Sequence, residues 1–208
     1  AQAIDQFGAE FFIYGTEESH GYMAGSYVRD KDGAVASMLL CELAATLKAA
    51  GQTLCEKLDA LYWQHGVHVE RTISVHMPGS EGMTRMKEVM AAFRSGPPTE
   101  IGGDQVAQVR DYEQQNVCRR VAATLAPAAL QDTATAIWGP GAPLGGPKGD
   151  LVFLDLATEG NYVACRPSGT EPKIKFYIDA WSADGTLADR AEFMNSLVER
   201  LAAGVRQL

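Results

Sequence analysis

A short run of basic and hydroxyl residues near the C-terminal end has the chemistry of an anion site. The stretch RPSGTEPKIKFYI (166–178) brings together one guanidinium, two hydroxyl side chains, a glycine and two lysines. Glycine permits a tight turn, so that neighbouring backbone N–H groups can converge on one anion. Several donors with little conformational freedom are what a phosphate dianion requires. We therefore interpret the stretch as a phosphate-binding loop; an ordinary surface hairpin is the alternative.

The residues of this loop offer different donors. Arg166 carries a fixed positive charge, and Ser168 and Thr170 carry hydroxyls on either side of Gly169. Lys175 falls on the polar side of the strand that follows, from where its ammonium group can reach back toward the loop. These five positions are the predicted phosphate ligands.

A second polar group follows the first apolar run, in the stretch TEESHGYMAGSYVRDKDG (16–33). Loops after strand ends are where open α/β sheets bind ligands. The carboxylate of Glu17 and the hydroxyl of Ser19 could bridge two neighbouring sugar hydroxyls, because each hydroxyl both donates and accepts a hydrogen bond. Lys31 could supply a proton or a positive field. The alternative is a solvated loop in which Asp32 caps the next helix.

Composition excludes several classes of protein. The chain has 26 acidic and 18 basic residues and a formal net charge of -8, which argues against a general nucleic-acid binder. No apolar run approaches the roughly 20 residues of a membrane helix. The 4 cysteines lie far apart with no CxxC pair, which favours reduced thiols in a cytosolic protein. The 4 histidines show no metal-ligand spacing, so no metal site is predicted in this chain.

Hydrophobic periodicity predicts alternating strands and helices. A buried strand is predicted over 10–15, a polar loop over 16–33, and a helix over 34–50 that Asp32 caps and Gly51 ends. The other predicted helices cover 54–64, 81–93 and 187–203, with a weaker helical start at 118. The other predicted strands begin near 67, 105, 151, 162 and 173.

Two of these elements have a predicted buried face. In the strand that begins at 173, Ile174, Phe176 and Ile178 alternate with polar positions, so they should point to one side. In the last helix, the predicted buried face is formed by Phe193, Leu197 and Leu201.

The order of elements predicts two domains, because an α/β unit closes where an α+β pattern opens. We place the domains at residues 1–70 and 71–208. The predicted fold is a partial three-layer α/β domain, followed by a smaller α+β domain whose mainly antiparallel sheet is covered by helices.

The two polar stretches, in this order, resemble the alpha-D-phosphohexomutase superfamily, in its phosphoglucomutase/phosphomannomutase branch. GTEESHGYMAGSYVRDKDG resembles the sugar-binding loop of the family's third domain, and RPSGTEPKIKFYI resembles the phosphate-binding loop of the fourth. The resemblance implies that Glu17 and Ser19 hold the sugar O3 and O4 and that Lys31 takes part in proton transfer. It also implies that the loop from Arg166 to Thr170, with Lys175, holds the phosphate that does not react.

The family's activity is the interconversion of hexose 1-phosphate and 6-phosphate through a 1,6-bisphosphate and an enzyme phosphoserine, with magnesium as a Lewis acid. The family's serine motif, of the type TASHNP, and its DxDxDR metal loop are absent from this sequence. We therefore expect both to lie in upstream domains, and this cytoplasmic chain to be a C-terminal fragment that is inactive alone. A stand-alone sugar-phosphate-binding or regulatory module is the alternative.

Overall fold

The computed structural model describes residues 2–17, 20–120, 138–139, 141–169, 171–183 and 187–205. Packing divides the protein into two compact units, Ala1–Gln64 and His65–Leu208. The boundary that the sequence predicted, at residue 70, falls within the first strand of the second unit.

The first unit combines helices with a two-stranded hairpin. Its strands, β1 and β2, pair antiparallel, with Glu17 opposite Gly21 at the turn. The described elements are α1 (Gln2–Phe7), β1 (Tyr14–Glu17), β2 (Gly21–Ala24), α2 (Gly33–Ala49) and α3 (Leu54–His65).

The predicted buried strand at 10–15 is wrong. A 3-10 turn occupies Ala9–Phe11, where the N–H of Phe12 donates to the carbonyl of Ala9, and the strand begins only at Tyr14. Ile13, the last residue before that strand, is 82% exposed, so this run is not buried. The predicted loop at 16–33 is also partly wrong, since it contains β2.

The predicted cap of α2 is confirmed. The Asp32 carboxylate accepts from the N–H groups of Ala34 and Val35, which satisfies two of the unpaired donors at the helix start. Gly51 follows the helix with a left-handed φ of 72°, a conformation that glycine adopts without strain.

The described part of the second unit is an antiparallel sheet with two helices. The strand order is β3-β10-β9-β8-β5-β6-β7, and β4 pairs with β5. Its helices are α4 (Gly79–Ser95) and α5 (Leu187–Val205). Its strands are β3 (Val67–His76), β4 (Glu100–Ile101), β5 (Asp104–Asp111), β6 (Asn116–Arg119), β7 (Ala142–Pro143), β8 (Val152–Leu156), β9 (Tyr162–Pro167) and β10 (Lys173–Ser182).

Both helices of this unit cover the same face of the sheet. Phe93 of α4 meets Phe176 of β10 edge to face, at 6.1 Å between ring centroids. Arg71, the β3 partner of Ile178, pairs with Glu199 of α5. The predicted inward face of β10 is confirmed, because Ile174, Phe176 and Ile178 are all buried. The alternate residues of β10, including Lys173 and Lys175, therefore lie on the face opposite α4 and α5.

Two predictions in this unit fail. The helical start at 118 is wrong, because Cys118 and Arg119 form the end of β6; residues 121–137 lie outside the described part of the chain. Phe193 is 55% exposed, and Met194 takes its place on the buried side of α5 beside Leu197 and Leu201.

The mixed class, with helices and a mainly antiparallel sheet, is confirmed. Among the described helices, none is long and apolar enough on its own to cross a membrane; α2 and α3 reach that length and composition only as a pair bent by 94°.

Candidate functional site

The predicted phosphate loop is a tight hairpin between β9 and β10. The N–H of Ser168 donates to the carbonyl of Lys173 over 2.9 Å, and the N–H of Lys173 donates to the carbonyl of Glu171 over 2.8 Å. The N–H of Met77 donates to the carbonyl of Pro172, which fixes the far side of the hairpin to the end of β3. The loop is thus held at both sides by backbone hydrogen bonds.

The sheet register places two predicted phosphate ligands side by side on neighbouring strands. Arg166 of β9 is the cross-strand partner of Lys175 of β10, and Lys175 is in turn the partner of Ser74 on β3. Cross-strand partners project from the same face of a sheet. This row therefore lies on the face opposite the helices.

A second row lies beside the first, toward the loop. Lys173 is the partner of His76 on β3, and the Ser168 hydrogen bond continues the β9–β10 ladder by one further pair. Because residues two apart on a strand share a face, Ser168, Lys173 and His76 lie next to the first row. Six polar side chains from three strands therefore form one patch, about 10 Å across at the usual strand spacing.

The backbone donors of the loop differ from what the sequence predicted. The Ser168 amide is taken by Lys173, so Ser168 has its hydroxyl left to offer to a ligand. A Cβ built on Gly169 would meet no described heavy atom within 4 Å, so a ligand can approach the backbone there. Thr170 lies outside the described residues.

Sequence reasoning did not assign three members of this patch, Ser74, Lys173 and His76, to the site, nor the neighbouring Glu171. The Lys173 ammonium lies 2.5 Å from the Glu171 carboxylate. The pKa of Glu171 is lowered, first by that hydrogen bond and then by the charge of Lys173 and those of His76 and Lys175. The alternation of β10 indicates the side of Lys173, but the pairing of His76 depends on a register that the sequence does not display.

The predicted sugar-binding residues lie at the turn of the β1–β2 hairpin. Glu17 ends β1, and its carboxylate lies 3.8 Å from the ammonium of Lys31, with both side chains about half exposed. Asp30 lies 3.6 Å from the same ammonium. The structure thus brings Glu17 and Lys31 together, whereas Ser19 lies outside the described residues.

Gly21 makes this approach possible. A Cβ at Gly21 would fall 2.2 Å from Cδ of Lys31 and 2.5 Å from Oε1 of Glu17. A larger residue would therefore push the two side chains apart. The close approach of the Glu17 and Lys31 side chains to Gly21 explains why a glycine follows His20 in the sequence.

The other reactive groups of the described residues do not form a second site. Burial raises the pKa of the Cys165 thiol to about 12, so this cysteine stays protonated and is a poor nucleophile. Among the described residues, no three His, Cys, Asp or Glu side chains are placed to hold a metal ion.

Comparison with known proteins gives the family. Residues 1–64 match the family model of phosphoglucomutase/phosphomannomutase, alpha/beta/alpha domain III. A phosphoglucomutase of Staphylococcus aureus strain MRSA252 is 33% identical over 186 residues, which are 89% of this chain and 30% of the relative. The chain belongs to the alpha-D-phosphohexomutase superfamily.

Two further proteins are similar to this chain. The phosphoglucomutase of S. aureus strain MSSA476 is 35% identical over 166 residues, 80% of this chain and 27% of the relative. Among solved structures, the open form of the Paramecium exocytosis-sensitive phosphoprotein pp63/parafusin, a phosphoglucomutase, covers 89% of this chain and 28% of its own, at 17% identity and a TM-score of 0.49. The chain thus spans less than a third of the length of these proteins.

Proposed function

We propose that this chain supplies the sugar-hydroxyl and phosphate contacts of a phosphoglucomutase/phosphomannomutase. The complete enzyme would interconvert hexose 1-phosphate and 6-phosphate through a 1,6-bisphosphate and a phosphoserine. Since the chain spans less than a third of its relatives, we assign the phosphoserine to upstream domains of the same protein. The chain alone would then bind substrate without converting it.

The observation that carries this proposal is the pairing of Arg166 with Lys175 above the β9–β10 hairpin. Two cations on adjacent strands, next to the Ser168 hydroxyl and the accessible backbone of Gly169, can share the oxygens of one phosphate group. With Thr170, these residues would hold the phosphate that does not react while the other is transferred. The guanidinium contributes a planar fork of donors and the ammonium a compact charge, so the two are complementary.

Glu17 and Ser19 would read the sugar hydroxyls. The substrate must bind in two flipped orientations during one catalytic cycle, so recognition should use hydroxyls that both orientations present, O3 and O4. Lys31, next to Glu17, would hold or move a proton at the sugar hydroxyl that reacts. Glucose and mannose differ at O2, so a site that recognises only O3 and O4 would accept either sugar.

Magnesium would act in the complete enzyme as a Lewis acid on the transferring phosphate. The described residues of this chain do not fit a metal ion, so we assign its ligands to the upstream domains as well. The upstream domains would also cover apolar residues that are exposed in the first unit, such as Leu40, Leu58 and Trp63.

Titration of the chain with glucose 1-phosphate, followed by NMR of the backbone amides, tests the binding role. We expect the resonance of Gly169 to shift, with a Kd on the order of millimolar, because a few charged hydrogen bonds only just exceed the cost of association. Arg166→Gln should abolish the shifts, and Arg85→Gln, which neutralises an exposed arginine on α4, should not. Unchanged spectra at saturating ligand would refute the proposal.

A coupled mutase assay tests the second part of the proposal. The chain alone should show no turnover of glucose 1-phosphate, even with magnesium and glucose 1,6-bisphosphate present. Steady conversion would show that the chain carries its own phosphoryl-transfer residue.

A further inference from the structure

Glu171 places a negative charge within the basic patch that we propose for phosphate. Its carboxylate lies 2.5 Å from the ammonium of Lys173, and its backbone carbonyl accepts from the N–H of the same residue. The lysine side chain is only 15% exposed, whereas that of Glu171 is 55% exposed. The lysine is therefore fixed in the patch, and the acid is the partner with room to move.

The surroundings of Glu171 are those of an anion-binding position. His76 and Lys175 add to the effect of Lys173 in lowering the pKa of Glu171, so three basic side chains from β3 and β10 act on one carboxylate. Lys173 and Lys175 lie in adjacent rows of the patch, with Arg166 opposite the second. The Glu171 carboxylate thus already occupies the position where the basic side chains of β3 and β10 converge.

We propose that Lys173 is a further phosphate-binding residue and that Glu171 is its internal counter-ion, which a bound phosphate displaces. This inference rests on the proposed phosphate site. A phosphate dianion carries more charge and more acceptor oxygens than a carboxylate, so it competes with Glu171 for Lys173 more effectively than a monoanion does. Glu171 would lower the affinity of the site for all anions and favour dianionic phosphates over monoanions such as acetate.

Two charge-neutralising variants test this inference in the same NMR titration with glucose 1-phosphate. Glu171→Gln should bind about two- to fivefold more tightly, because the competing carboxylate is removed from Lys173. Lys173→Gln should bind about tenfold more weakly, and Lys173→Arg should retain binding. The double variant should behave like Lys173→Gln, because Glu171 acts through the lysine.

A matched control and an independent measurement complete the design. Glu88→Gln, which removes the acid of an exposed pair with Arg85 on α4, should leave the affinity unchanged. In the wild-type chain, saturation with phosphate should raise the pKa of Glu171, measured from its carboxyl carbon resonance, because the carboxylate loses Lys173 and gains a neighbouring anion.

The outcomes separate this inference from the proposed function. If the wild-type chain binds no phosphate, the phosphate site itself is refuted and this inference with it. If the wild type binds but Glu171→Gln binds no more tightly, and the pKa of Glu171 does not move on saturation, the phosphate site stands and the counter-ion role of Glu171 is refuted.

Discussion

Asp179 is a half-buried carboxylate on the sheet face that carries the polar patch, further along β10. The ladder places it opposite Glu70 of β3 on one side and Tyr162 of β9 on the other. Burial and the charge of Glu70 raise its pKa, while His68 acts in the opposite direction. Like charges directly opposite each other on neighbouring strands destabilise a sheet.

Replacing this residue should stabilise the second unit in a pH-dependent way. A carboxyl whose pKa is raised on folding costs stability when it is ionised, and that cost disappears as the pH falls through the raised pKa. We therefore expect Asp179→Asn to raise the free energy of unfolding at pH 7 by roughly 0.5 kcal/mol. Chemical denaturation at a series of pH values would measure the gain, which should vanish below about pH 4. A gain that stays constant with pH would contradict this account.

At the scale of single residues, the sequence predicted the sheet face on which a side chain lies better than it predicted the contacts of that side chain. Arg166 and Lys175 were predicted as partners of one anion from residue type and alternation, and the structure places them in register. Lys173 was assigned to the correct side of β10 but to no role. The position of His76 could not be predicted, because it depends on which strand pairs with β10.

At the scale of elements, the start of α2 depends on one carboxylate. Asp32 accepts two backbone hydrogen bonds from the first turn and a third from the hydroxyl of Tyr27 over 2.6 Å. The Tyr27 hydrogen bond, and after it that of Val35, are the largest causes that lower its pKa. The stabilisation is therefore complete above the ordinary pKa of aspartate and is lost as the pH falls through the lowered value.

Asp32→Ala should loosen the first turn of α2, and Asp32→Asn should preserve it, because asparagine is an equally good cap. Hydrogen exchange of the amides of Ala34 and Val35 would measure the effect. Exchange should be faster in the alanine variant at neutral pH, while the centre of the helix stays protected. Tyr27→Phe serves as a control that keeps the carboxylate. Equal protection in the Asp32→Ala variant and the wild type would show that the cap is dispensable.

Local signals predicted the elements that end at capping residues or alternate clearly, such as α2 and β10. They failed where tertiary packing decides. The apolar run at 10–15 has strand composition, but it folds as a 3-10 turn and the start of an exposed hairpin strand. In α5, four-residue spacing from Leu201 and Leu197 leads to Phe193, whereas the helix that packs on the sheet buries Met194.

At the scale of the whole molecule, the antiparallel sheet follows from pairings between distant segments. Strand β3 pairs along its full length with β10, about half the chain away, and the hairpin β9–β10 adds the next strand. The sequence predicted a sheet covered by helices but not this order of strands. That order creates the polar patch, because it sets Ser74 and His76 beside the two lysines.

The two units differ in how much apolar surface they bury, and this difference predicts unequal stability. The buried hydrophobic residues of the described chain lie in the second unit, with the exception of Leu47. In the first unit, Leu39 and Leu43 of α2 are 40% and 41% exposed. Local opening takes less free energy where few apolar contacts are lost.

We expect amides in the centre of α2 to exchange faster than those of β8 and β10 in the intact chain. Native-state hydrogen exchange under increasing denaturant would measure this, with the first unit opening at lower concentration. Equal opening free energies in both units would mean that the chain unfolds as one cooperative body. The exposed leucines would then not lower the stability of the first unit relative to the second.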